Sequence, residues 1–374
     1  MSADTSTDKQ ATQPTTLFPL LADPIGYQAC PWDLAENDER RAYWLKLFRD
    51  HYVGCLELAL NDALDRGVAR DVAEAQVAQA KASFGAYLGH VEAEPSAFGR
   101  LTILLICEAR ERSLRRAGIP DPYRLDKERE NETALALLPG VLAEIDALNG
   151  ADRIERIMRG VFAGNIFDLG AVDTVAMFKD GKMDFHHTLG KLKPRPWFVD
   201  HFDAWRDRWL SGEPYNCAVM FVDNAGPDVL LGMVPFAREL LRTGTGVVMA
   251  ANAAPALNDV THDELTVLID RIAGFDPVIA EALKTGQLEL VTSGNGAPLI
   301  DLRKVNPDLA DAVYRRDVDL CIIQGMGRAI ETNFDAEFNC DALKLAMIKD
   351  LGVGEAMGAS LYDLVLRFDQ VEED

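Results

Sequence analysis

Cys217-Ala-Val-Met-Phe-Val222 is an apolar run of strand length, and Asp223-Asn-Ala-Gly-Pro227 closes it with turn-forming residues. Pro227 suits the first turn of a helix, where its missing N–H is no loss. Beyond it Leu230, Met233, Val234, Ala237, Leu240 and Leu241 recur on one helical face, and Gly244 ends the pattern. Residues 246–251 form a second apolar run, and Thr261-His-Asp-Glu264 has the spacing of a capping box that opens another helix. Further strands are predicted at 288–291, 318–323 and 361–366, with helices between them. Such alternation is the pattern of a parallel sheet covered on both faces. The expected fold is α/β, a three-layer, Rossmann-like, mostly parallel sheet.

Upstream of Tyr215 the texture changes. Apolar residues recur at three and four through 43–60, 73–87, 98–109 and 134–148, with no strand-like alternation between them. An all-helical N-terminal subdomain is therefore expected over 17–150, with the α/β domain at 151–374. Residues 1–16 are polar and read as a disordered tail. A bridge follows at 150–212, with a helix near 153–162 and a basic island of Lys179, Lys182, Lys191, Lys193 and Arg195. That island reads first as a solvated linker, and second as an attractor of anions.

The 374 residues include 38 Lys and Arg against 60 Asp and Glu, a formal net charge of −22. So acidic a chain is not expected to bind nucleic acid or an anionic membrane surface non-specifically. A small anionic substrate still fits if a local cation reverses the field. Six cysteines without a C-x-x-C pair read as buried reduced thiols. The start of the chain has no signal-peptide character, and no apolar stretch is long enough to span a bilayer. A cytoplasmic protein is expected; oligomeric state is not legible.

In an open parallel sheet the loops after the strands share one edge, where ligands bind. Four loops converge there, beginning at Asp223, Asn252, Thr292 and Gln324. Asp223, Asn224, Asn258 and Asp259 offer hard oxygen atoms that suit Mg²⁺ or Mn²⁺. The plain alternative is that they are turn and cap residues. The six histidines lack metal-ligand spacing, so zinc is not expected. Gln324-Gly-Met-Gly-Arg328 fails the dinucleotide fingerprint, because Ile330 stands where glycine is needed. A glycine-rich turn with an arginine does suit an oxyanion. Lys344, expected on the following helix, is a candidate second cation. Arg328 and Lys344 are both expected outside the core.

At these residues the sequence resembles the metal-dependent damage-control phosphatases. The motifs are Phe221-Val-Asp-Asn-Ala-Gly-Pro-Asp, Ala251-Asn-Ala-Ala-Pro-Ala-Leu-Asn-Asp259, Gly325-Met-Gly-Arg-Ala-Ile-Glu-Thr-Asn333, Ala163-Gly-Asn-Ile-Phe-Asp-Leu-Gly-Ala171 and Leu343-Lys-Leu-Ala-Met-Ile-Lys349. The likeness, from about Leu17 to the C-terminus, is to the branch of 4′-phosphopantetheine phosphatases. It implies hydrolysis of 4′-phosphopantetheine or its oxidised and damaged forms with a divalent ion (Mg²⁺, Mn²⁺, Co²⁺ or Ni²⁺). Asp223, Asn224 and Asp259 carry over as metal ligands, and Asp223, Arg328 and Lys344 as the catalytic set. Gly325, Met326, Gly327, Arg328 and Lys344 carry over as substrate contacts, and Asn258 on its neighbouring loop is a further candidate. Asn165 and Asp168 belong to the same cleft or to a helix terminus. One departure stands out: the branch usually starts its Gly-Met-Gly-Arg motif with Glu, and here it is Gln324. Two other readings stay open, an S-adenosylmethionine-dependent carboxyl methyltransferase and a non-catalytic module that binds a phosphometabolite.

Overall fold

The computed structural model describes residues 14–166 and 185–371. Asp168, Lys179, Lys182 and most of the expected N-terminal tail lie outside them. Five helices come first: α1 (Asp38–Asp65), α2 (Arg70–Ala93), α3 (Ile103–Arg116), α4 (Arg124–Asp146) and α5 (Gly150–Ile166). Asn37 caps α1 and Thr102 caps α3, each accepting from a backbone N–H three residues on. Arg195 of the basic island is committed to Asp200 and Asp203, so its charge is neutralised locally.

The strands are β1 (Val199–Asp200), β2 (Cys217–Phe221), β3 (Gly246–Ala251), β4 (Leu288–Thr292), β5 (Leu320–Gln324), β6 (Asp341–Met347) and β7 (Leu364–Asp369). They form one seven-stranded sheet in the order β1-β7-β6-β5-β2-β3-β4. Every pairing is parallel except β6 with β7. The mostly parallel α/β reading with a helical N-terminal region therefore holds. Alternation along β2 explains the layering. Cys217, Val219 and Phe221 join a core shared with α1, α2 and α3, whereas Ala218 and Met220 join the core under α4 and α5. Both faces are buried, so the run is apolar throughout.

Residues 341–347 correct one expectation. The stretch read as a helix carrying Lys344 is the strand β6, because β5 and β7 pair with it on both sides. Short apolar runs do not distinguish strand from buried helix by period. The helix after Pro227 also opens differently, with a π-helical turn at Asp228–Met233 before α-helix resumes at Val234–Arg242. All six cysteines are free and buried. Among the described residues no helix is long and apolar enough to cross a membrane.

Candidate active site

The loops after β2 and β3 are zipped together at the sheet's C-terminal edge. Val260 N–H donates to the Asp223 carbonyl at 3.0 Å, Ala225 N–H donates to the Asn258 carbonyl at 2.9 Å, and Asn224 bridges to Asp259. These contacts bring Asp223, Asn224, Asn258 and Asp259 together, all nearly inaccessible to solvent. The guanidinium of Arg328 lies between the two carboxylates. It contacts Asp223, and its Nη2 donates to Asp259 Oδ2 at 2.8 Å and to Asn252 Oδ1 at 3.1 Å. One cationic group thus touches both carboxylates. The donor set is two carboxylates and an amide; among the described residues no three His, Cys, Asp or Glu gather as a metal cluster.

Asp228 organises the floor. It is fully buried, and its Oδ2 accepts from Asn224 Nδ2 at 2.8 Å and from Asn165 Nδ2 at 2.9 Å, while its Oδ1 accepts from Gln324 Nε2 at 2.7 Å. Burial pushes its carboxyl up, while the nearby Lys349 charge and these amides pull it back. Gln324 also accepts from Asp223 N–H at 3.1 Å. Its amide therefore donates at one end and accepts at the other. A glutamate would offer the same acceptor to Asp223 but would set a second carboxylate against Asp228. Asn165, at the end of α5, is thus brought to the site.

Arg328 and Lys344 are both fully buried, against the expectation that they lie outside the core. Lys344 has close partners of its own. Its ammonium donates to the Phe334 and Ala336 carbonyls, each at 2.7 Å, and lies 3.4 Å from Asp369. Burial pushes it down to about 8. Neither Lys344 nor Arg328 is among the residues lining the cavity described below; Lys349 is. The reason is register: Lys344 sits inside β6 and points to one face, whereas Lys349 lies just past the strand's end, at the ligand edge. The edge rule, applied to a strand instead of a helix, selects Lys349. Its ammonium donates to the Asn165 carbonyl at 3.0 Å. Asp228 and Asn252 were missed because their importance comes from long-range partners.

A cavity of about 300 Å³ opens at this rim. Asp223, Asn224, Asn258, Asp259, Met326, Gly327 and Lys349 contribute to it. Another wall comes from Tyr43, Trp44, Leu47 and Phe48 of α1 and Ile103 of α3, spaced as helical stripes. Helix α4 grips both loops from beneath. Asn131 Oδ1 accepts from Gly226 N–H at 2.7 Å, and the buried Lys127 donates to the Asp259 carbonyl at 3.5 Å while pairing with Asp121 and Glu264. Gly226, at φ +70°, is required there, because a Cβ would lie 2.8 Å from Glu130 Cβ.

Residues 51–365 match the model of the damage-control phosphatase ARMT1-like domain. The chain belongs to the damage-control phosphatase family. It is 36% identical to the Arabidopsis thaliana protein named damage-control phosphatase At2g17340, over 95% of this chain and 97% of that one. It is 33% identical to a Mus musculus 4′-phosphopantetheine phosphatase over 96% of this chain and 49% of that one. Likeness to pantothenate kinase 2 of Arabidopsis thaliana is 39% over 94% of this chain, which spans only 42% of that relative. The chain thus spans less than half the length of several curated relatives it matches. A DUF89-family crystal structure from Pyrococcus horikoshii shares the fold, with a TM-score of 0.58 at 15% identity over 88% of this chain and 96% of that one. Family membership favours the phosphatase reading over the methyltransferase.

Proposed function

We propose that this damage-control phosphatase is a metal-dependent phosphomonoester hydrolase acting on 4′-phosphopantetheine or its oxidised or damaged derivatives. One observation carries the reading: a single cavity joins Asp223, Asn224, Asp259 and Lys349 to an apolar, aromatic wall. That pairing suits a phosphate attached to an elongated, mostly uncharged arm. The name of the mouse relative supports the same substrate.

Asp223, Asn224 and Asp259 would hold the ion, with Mg²⁺ or Mn²⁺ favoured by their hard oxygens and Co²⁺ or Ni²⁺ as alternatives. When bound, the ion would neutralise phosphate charge as a Lewis acid. Arg328, buried behind the cavity wall against both carboxylates, would add positive charge from beneath, and Lys349 would add it at the rim. Asn165, Asn224 and Gln324, tied to Asp228, keep the floor rigid, so charge stabilisation needs little rearrangement. Lys344 acts from outside the cavity, by fixing the Phe334–Ala336 turn. Asp168 and Asn258 stay in the proposed substrate set. Six buried free thiols suit a cytoplasmic setting.

Two outcomes test this reading. Phosphate release from 4′-phosphopantetheine should exceed that from p-nitrophenyl phosphate, and Leu47→Ala should narrow the ratio about tenfold, the worth of a buried leucine side chain. Equal rates on both esters would contradict the arm's role. Asn131→Ala should weaken Mn²⁺ binding in calorimetric titration by roughly tenfold, the usual scale for a residue supporting metal ligands. Unchanged affinity would remove α4 from the account of the site.

A further inference from the structure

The cavity wall contains a charged group that the hydrolytic chemistry does not use. Arg110 of α3 is 3% exposed and lines the cavity beside Phe48, whose ring centre lies 5.8 Å from the guanidinium. Among the described residues its one ionic partner is the neighbouring Glu111, also buried. Arg110 Nε donates to Glu111 Oε1 at 2.8 Å. Nη2 approaches the same oxygen at 2.7 Å without hydrogen-bond alignment, and is left without a hydrogen-bond partner. A guanidinium carries five N–H donors, and one carboxylate oxygen cannot use them. A buried donor left unmatched costs stability, so its retention on a cavity wall points to a ligand atom that completes it.

The ligand's chemistry follows from the charges around Arg110. Glu111 already neutralises the guanidinium, and Glu331 lines the same cavity. A second anion on the substrate would face both carboxylates. A neutral acceptor would meet only the spare donors. The surrounding Trp44, Leu47, Phe48 and Ile103 leave room for apolar chain on either side of that acceptor. We infer that Arg110 is a specificity-determining residue that binds an uncharged carbonyl oxygen, such as that of a secondary amide, in the substrate's arm. The inference rests on the proposed phosphatase reading and deepens it. It assigns α1 and α3 the task of selecting among phosphate esters, and the sheet rim the chemistry.

The test is a matched pair of phosphate monoesters with arms of equal length, one carrying a secondary amide and the other only methylenes. Wild-type protein should prefer the amide ester about tenfold or more in kcat/KM, because the alkyl ester leaves the buried donors unpaired. In the doubly substituted Arg110→Met, Glu111→Leu protein the preference should fall below about threefold, mainly through KM for the amide ester. Replacing both partners avoids stranding a buried carboxylate. A preference that survives this change, or none in the wild type, overturns the inference. Where the double variant does not fold, inhibition of the wild type by the two corresponding alcohols decides the matter. The amide alcohol should inhibit at about tenfold lower concentration, and equal inhibition overturns the assignment. Calorimetric binding of the two esters reads the same preference without turnover. Absence of phosphate release from both would therefore overturn the phosphatase reading alone.

Discussion

Asp259→Ala is expected to lower kcat/KM for phosphomonoesters by roughly 10³-fold or more while leaving the fold intact, since it removes a preorganised charge at the reacting phosphate. Asp259 Oδ2 is the point where three contributions meet: it accepts from Arg328 Nη2 and from Asn252 Nδ2, each at 2.8 Å, and it is proposed as a metal ligand. The backbone zipper to Asp223 and the Lys127 contact use main-chain atoms, so they survive the substitution. Arg328 keeps Asp223 and Asn252 as partners. The stability cost is about 3–5 kcal/mol, the usual figure for removing one partner of a buried ion pair. Mn²⁺ titration and thermal melting separate the two effects. Full metal affinity with full activity in the variant would remove Asp259 from the site.

Gly325→Ala should be the most damaging change outside the carboxylates. Gly325 has φ +106°, a conformation that costs a non-glycine residue about 1–3 kcal/mol. A Cβ there would also stand 2.2 Å from Asp223 Oδ2, so the carboxylate must move. Displacing a catalytic group by about 1 Å can cost 10²-fold in rate. The expected result is a melting temperature lowered by several degrees together with a fall in kcat/KM of about 10²-fold. A variant with wild-type turnover would show that Asp223 need not sit where Gly325 allows it.

The sheet was legible because β2, β3 and β5 are buried on both faces, and such strands are apolar throughout and separated by turn residues. The meeting of Asp223 with Asp259 was legible for a related reason, since parallel strands deliver their following loops to one edge. Lys344 shows where local pattern stops. Leu343-Lys-Leu-Ala-Met-Ile-Lys349 has no period that separates strand from helix, and only pairing with β5 and β7 decides it. That decision moves the cavity cation from Lys344 to Lys349. The grip of Asn131 on Gly226 and the bond of Gln324 to Asp228 join residues about a hundred positions apart. Nothing local announces them. Arg328 looked like a surface cation because arginine seldom lies fully buried without a partner; its partners, Asp223 and Asp259, come from two other loops.

The rim formed by Asp223, Asn224 and Asp259 is proposed to work by holding a divalent ion against a phosphate ester. The direct measurement is phosphate release from 4′-phosphopantetheine after EDTA treatment, followed by return of Mg²⁺, Mn²⁺, Co²⁺ or Ni²⁺. Chelation is expected to abolish release, at least one ion to restore it, and no ion to restore Asp223→Ala or Asp259→Ala. Undiminished hydrolysis in the chelated wild-type protein, or ion-dependent rescue of both variants, would contradict this role of the rim.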